Sequence, residues 1–133
     1  MEKRFSRSFD SLHEIFSCLE EYFVGERIDS GSQFAVKLAV EELFTNMVKY
    51  NPGGPSEIIL DLERAGNRLT VRLTDLDSDP FDITKSAEVR VDRPIEERRP
   101  GGLGIHLIKR LMDRIDYEYA DRRSTTTLVK LLE

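Results

Sequence analysis

Apolar positions along this chain follow two different periods. From Ser11 to Gly25 they recur at helical intervals, as Leu12, Ile15, Phe16, Leu19, Tyr22 and Phe23, which sets them on one side of a helix. Ser11 followed by Glu14 has capping-box spacing and marks its start. Ser30 and Gln33 repeat that signal before a second helix, predicted from roughly Gln33 to Tyr50 and stopped by Asn51-Pro52-Gly53-Gly54. The period then drops to two: Glu57 to Arg64 and Arg68 to Asp75 alternate on either side of Ala65-Gly66-Asn67, a β-hairpin pattern. From Ser78 to Pro100 no period is sustained, which predicts a long loop, and loops of that length are usually functional lids or disordered. A third helix runs from the glycine cluster at 101–104 to about Ile115. Asp116 to Ala120 and Thr125 to Leu132 form a closing hairpin around Asp121-Arg122-Arg123, and Lys3 to Phe9 supplies an edge strand. With no repeat and no linker, residues 1–133 read as one domain. Its class is α+β, a two-layer sandwich with a mixed, mostly antiparallel sheet covered by helices on one face.

Composition narrows the partners. The 133 residues are 39% hydrophobic and 34% charged, with 20 basic against 25 acidic side chains and a net charge of −5. Sequence-independent binding to nucleic-acid phosphates is disfavoured by that balance. Cys18 is the single cysteine and there are two histidines, too few for an intrachain disulfide or a zinc site of ordinary spacing. The opening MEKRFSRSFD has no apolar core of a signal peptide, and no stretch approaches the ~18 apolar residues of a membrane span. A cytoplasmic protein with no membrane partner is expected.

Three stretches carry candidate chemistry. In the second helix Val36, Val40, Leu43, Phe44 and Met47 form the apolar stripe, while Ala35, Ala39, Glu42 and Asn46 line its flank. Two small residues beside two polar ones leave room for an object against the helix; Glu41 points away. The plainer reading makes Glu42 and Asn46 a solvated i, i+4 pair. In LTDLDSDPFD the carboxylates Asp75, Asp77, Asp79 and Asp82 are ordinary turn formers, or one of them accepts a hydrogen bond from an exocyclic amine, with Asp75 at the strand's end the candidate. A calcium loop beginning at Asp75 fails, because Pro80 and Ser86 stand where glycine and glutamate belong. The stretch PGGLGIHL, residues 100–107, places glycine amides at a helix N-terminus. That is either a tight turn into the helix or an anion site of the sort that holds phosphate. It matches neither the P-loop nor the dinucleotide-binding glycine pattern, and no strand precedes it.

In this order the three stretches resemble the boxes of the Bergerat-type ATPases, the histidine-kinase and Hsp90-like superfamily. The whole chain is similar to the small anti-sigma-factor serine kinases of partner-switching systems. VEELFTNMVKY resembles the N-box, LTDLDSDPFD the first glycine box and RPGGLGIHLIKRLMD the second. The resemblance implies a Bergerat fold in which Glu42 is the general base, Asn46 holds Mg²⁺ with ATP, and Asp75 receives the adenine amine. It further implies phosphate contacts from the amides of Gly102, Leu103 and Gly104, support of the adenine end by Thr126, and an ATP lid over residues 83–100. The implied activity is transfer of the ATP γ-phosphate to a serine of a STAS-type anti-anti-sigma protein, with a sigma factor as the sequestered partner; similar proteins often dimerise. Asp77 stands where the first glycine box usually has glycine, which keeps Asp77 open as the alternative to Asp75. It also keeps open a non-catalytic binding module of the same fold. A histidine-kinase fragment would need a dimerisation helix with its phosphoacceptor ahead of these boxes; His13 and His106 do not fill that role.

Overall fold

A computed structural model describes residues 1–50, 57–78 and 102–132. The turn at Asn51 to Gly54, Asp79, Asp82 and the expected lid lie outside these residues. In chain order the elements are β1 (Glu2–Phe5), α1 (Leu12–Gly25), α2 (Ser30–Tyr50), β2 (Ile58–Ala65), β3 (Arg68–Asp75), α3 (Gly102–Leu111), β4 (Arg114–Ala120) and β5 (Arg123–Leu131), with a 3₁₀ turn at Phe9–Ser11. The sheet order is β1-β2-β3-β5-β4. Each of these pairings is antiparallel, so the mixed component of the expected sheet is absent among the described residues.

Both predicted hairpins form. Ala65 pairs with Arg68 around a two-residue turn whose Gly66 has φ 63°, the left-handed region that glycine occupies without a Cβ penalty. Asp121 and Arg122, at φ 52° and 65°, make the β4–β5 turn. Alternation then places Ile58, Leu60 and Leu62 of β2, Leu69, Val71 and Leu73 of β3, and Leu128 of β5 on the covered face. Against them pack Ile15, Leu19 and Phe23 of α1, Val36, Val40, Leu43 and Phe44 of α2, and Ile108 of α3. Each such buried side chain contributes roughly 1.5–3 kcal/mol. No helix among the described residues is long and apolar enough to cross a membrane.

Several boundaries differ from the sequence reading. β1 ends at Phe5, because the chain then turns inward: Ser8 caps the 3₁₀ turn by accepting from the Asp10 amide. Ser11 makes no helix cap; its hydroxyl donates to the Ser6 carbonyl at 2.9 Å. Helix α2 begins three residues earlier than expected. Asp29, not Ser30, is its cap, with its carboxylate accepting from the Ser32 amide at 2.9 Å. At the far end, α3 stops at Leu111 and Ile115 belongs to β4. Asp113 is captured by the sheet there, its amide donating to Val129 and its carboxylate accepting from the Leu131 amide.

Replacing a side-chain N-cap with alanine costs ~1 kcal/mol. Asp29→Ala is therefore expected to lower unfolding stability in urea by about that amount, while Ser30→Ala changes it little. Equal losses from the two would return the cap to Ser30.

Candidate active site

The polar flank of α2 exists because its apolar stripe is satisfied first. Val36, Val40, Leu43 and Phe44 fill the core, which turns Glu42 to the border and leaves Glu41 exposed. Ala35 and Ala39 join the core as well, so the space expected beside them is taken up by the protein's own packing. What remains at the border is the pair Glu42 and Asn46, one turn apart on one helix face.

The two differ in surroundings. Glu42 is half-buried, and desolvation lifts its carboxyl above the ordinary 4.5, with Glu41 acting in the same direction; Lys49 and the Asn46 amide pull it back down. Asn46 is 3% exposed. Close as it lies to Glu42, neither its amide nitrogen nor its amide oxygen completes a hydrogen bond of good geometry among the described residues. A buried amide left this way costs about 1–3 kcal/mol. Such a group suits a guest able to use it, and its oxygen is a proper donor for a hard cation such as Mg²⁺.

The end of β3 approaches the same region through a residue that none of the three boxes contains. Asp75, 2% exposed, is held by both Nη atoms of Arg7, whose Nη1 donates to Oδ2 at 2.9 Å. The same Nη1 reaches the Met47 carbonyl at 3.3 Å. Arg7 thereby ties the sheet's end to α2 one residue beyond Asn46. Asp77 is placed differently: its side chain is half-exposed and pairs with Arg122 at 2.6 Å, while its amide donates to Asp75 Oδ1 at 3.2 Å. The structure therefore buries Asp75 and turns Asp77 toward the β4–β5 turn.

Thr126 is buried on β5, opposite Leu73 and two positions from Ser124, which pairs with Asp75. A hydroxyl cluster unmarked by sequence reasoning lies next to it: Ser124 bonds Ser78 at 2.7 Å and Tyr117 at 3.0 Å, and the Tyr119 hydroxyl donates to the Ser78 carbonyl. Gly102, Leu103 and Gly104 form the first turn of α3, which packs on α2. Amides in a first helical turn have no intrahelical acceptor and face an anion favourably.

Arg7 had one signal in the sequence. Phe5, Arg7 and Phe9 occupy alternate positions of the expected strand, which puts a charge on a face destined for the core. Such a charge demands a buried acid, but nothing local says which one.

A family model described as the histidine kinase-like ATPase domain matches residues 5–130. The chain belongs to that family. The serine/threonine-protein kinase BtrW of Bordetella bronchiseptica is 25% identical over 112 residues, spanning 83% of this chain and 78% of that protein. Among solved structures, the RsbU and RsbW domains of a Mycobacterium tuberculosis protein superpose with a TM-score of 0.72 at 12% identity, covering 99% of this chain and 31% of that one. A chain of the Pseudomonas aeruginosa SiaB–SiaC complex gives 0.64 at 18% identity, covering 100% and 89%. The structural likenesses speak for the fold. With the family match, they bear out the histidine kinase-like ATPase superfamily and the α+β class, and the kinase-named relative agrees with them. The chain is a kinase-like ATPase domain, and its chemistry must come from its own residues.

Because burial raises the folded-state pKa of Glu42, its contribution to stability is fully present below the ordinary 4.5 and is lost as pH rises through the folded value. Glu42→Gln is therefore expected to melt higher than the parent at pH 7.5, with the difference closing as pH falls to 4. A difference that grows toward acid would reverse the assigned sign.

Proposed function

We propose that this domain binds Mg·ATP between α2, the end of β3 and the first turn of α3. On this reading it transfers the γ-phosphate to a serine hydroxyl of a STAS-type anti-anti-sigma protein, and in its other state holds a sigma factor. The observation that carries the proposal is the pair on one face of α2: the buried Asn46 amide, which completes no hydrogen bond of good geometry among the described residues, lies against a half-buried Glu42 whose pKa is raised. The family match and the kinase-named relative support it.

Each residue has a separate task. Asn46 offers its amide oxygen to the cation. Mg²⁺, when bound, supplies charge neutralisation on the phosphate oxygens. The α3 amides at Gly102, Leu103 and Gly104 face the phosphates without an intrahelical competitor, a preorganised donor set for charge that spreads over oxygen during transfer. Glu42 orients the acceptor serine and takes its proton; a carboxylate lifted toward neutral pH is a better base than one at the ordinary value. Asp75 accepts from the adenine amine, and Thr126 lies under the same end of the site.

Mg·ATP at a hundredfold excess over Kd is expected to stabilise the fold by ~2.7 kcal/mol, seen as a rise in melting temperature. Glu42→Gln should retain that rise and lose phosphotransfer by ~10²–10⁴-fold, measured as labelled phosphate reaching a purified STAS partner. Asn46→Ala should lose the rise itself, and Glu41→Gln should change neither. Nucleotide binding with no transfer to any STAS partner would favour the non-catalytic module, and a damaging Glu41→Gln would put the wrong face of α2 in the site.

A further inference from the structure

The residue that grips Asp75 comes from the N-terminal segment, outside all three sequence boxes. We propose that Arg7 is a positioning residue for recognition of the nucleotide base. It fixes the Asp75 carboxylate in one rotation with a single acceptor position remaining, and so makes the site select 6-amino over 6-oxo purine nucleotides. This rests on the reading of Asp75 as the base contact.

The argument is a count of lone pairs. An ionised carboxylate offers about four acceptor positions. Asp75 Oδ1 accepts from Arg7 Nη2 and from the Asp77 amide, and Oδ2 accepts from Arg7 Nη1. One position is left, on Oδ2, in a side chain almost sealed from water. A 6-amino group donates into it. A 6-oxo group sets lone pairs against lone pairs and leaves the carboxylate oxygen unsatisfied, and polar sites of this kind reject the wrong partner far more strongly than shape does.

Arginine is needed because its planar fork defines the plane of the carboxylate, which a lysine ammonium does not. The fork is itself anchored at the Met47 carbonyl and, at 3.4 Å, at the Asp77 carbonyl. The base does not displace it. A neutral amine carries no charge, and displacement would strand a guanidinium whose side chain is 0% exposed without its counter-ion. Among the described residues Arg7 Nε and the Asn46 amide are both buried with no hydrogen-bond partner of good geometry. This corner of the fold thus has polar capacity left over at both groups.

The test compares equilibrium binding of Mg·ATP and Mg·ITP to the full chain and to Arg7→Lys. The parent is expected to prefer ATP by at least about 10²-fold, and by up to about 10⁴–10⁵-fold if the site reads the amine as strongly as sites built to hydrogen-bond a polar substituent do. Arg7→Lys should cut that preference at least ~10-fold through weaker ATP binding, with ITP nearly unchanged, since the lysine keeps charge but not the fork. If Arg7 only holds the fold together, ATP and ITP weaken in step and the ratio stays, which overturns the proposal. Should Arg7→Lys not fold, ¹⁵N-arginine labelling of the parent reads the pair directly. Slowly exchanging Nη resonances of the buried guanidinium are expected to persist under saturating ATP, and their collapse would show that the base evicts Arg7, again overturning it. A parent that binds both nucleotides equally overturns this inference alone. A parent that binds neither overturns the nucleotide reading and this inference with it.

Discussion

The buried pair of Arg7 and Asp75 is the constraint around which the open end of this fold is arranged. Removing one member of a buried ion pair typically costs about 3–5 kcal/mol, because the survivor is left charged and dry. That penalty explains several local features at once. The chain abandons β1 after Phe5 and folds inward through a 3₁₀ turn, where the Ser8 hydroxyl accepts from the Asp10 amide and the Ser11 hydroxyl donates to the Ser6 carbonyl. Arg7 then meets acceptors from two layers, the Met47 carbonyl of α2 and the carboxylate ending β3. The sheet and the helix that carries Glu42 and Asn46 are joined at their site end by one side chain, so the site's two walls keep a fixed relation.

Much of the architecture was legible because it depends on local periods. The α1 stripe, the two hairpins and the apolar face of α2 follow from which residues can share a covered face, and the structure buries Leu19, Phe44, Leu60 and Leu73 accordingly. The misread details are those decided by side-chain hydrogen bonds, whether from a near neighbour or from across the sheet. Ser11 has the spacing of a cap, yet Ser6 captures its hydroxyl. Asp29, not the expected Ser30, caps α2, since a carboxylate reaches the Ser32 amide and also favours the positive end of the helix dipole. Ile115 continues the helical period but is drawn into β4 by the bonds of Asp113 to Val129 and Leu131. The same holds for the site. Glu42 and Asn46 were visible as a flank pair, whereas the 68-residue span from Arg7 to Asp75 leaves no periodic trace.

Low identity sharpens what each comparison can carry. At 12–18% identity the two solved structures share a path of the chain, not a set of side chains. Ala35 and Ala39 show why the distinction matters. Their smallness, read as room for a ligand, serves the close approach of α2 to the core. Asn46 is the opposite case. Among the described residues its buried amide completes no hydrogen bond of good geometry, and packing alone does not account for a polar group at that position.

Asp77 can be understood in the same terms. Glycine is required in a loop where the backbone is left-handed or where another chain or ligand comes too close for a Cβ. Asp77 is not among the described residues with positive φ, so its backbone makes no such demand. Its carboxylate turns away from Asp75 to Arg122, whose own left-handed conformation presents the guanidinium from the β4–β5 turn. The Ser78 amide bonds the Arg122 carbonyl, and the Ser78 hydroxyl bonds Ser124, which locks the segment after β3 onto that turn. Two carboxylates two residues apart at the end of β3 would repel each other if bare. Here each is matched by an arginine, buried for Asp75 and half-exposed for Asp77, and the local charge comes close to cancelling. The exposed pair adds little stability. Its effect is electrostatic, since the Arg122 guanidinium offsets the charge of the Asp77 carboxylate next to buried Asp75.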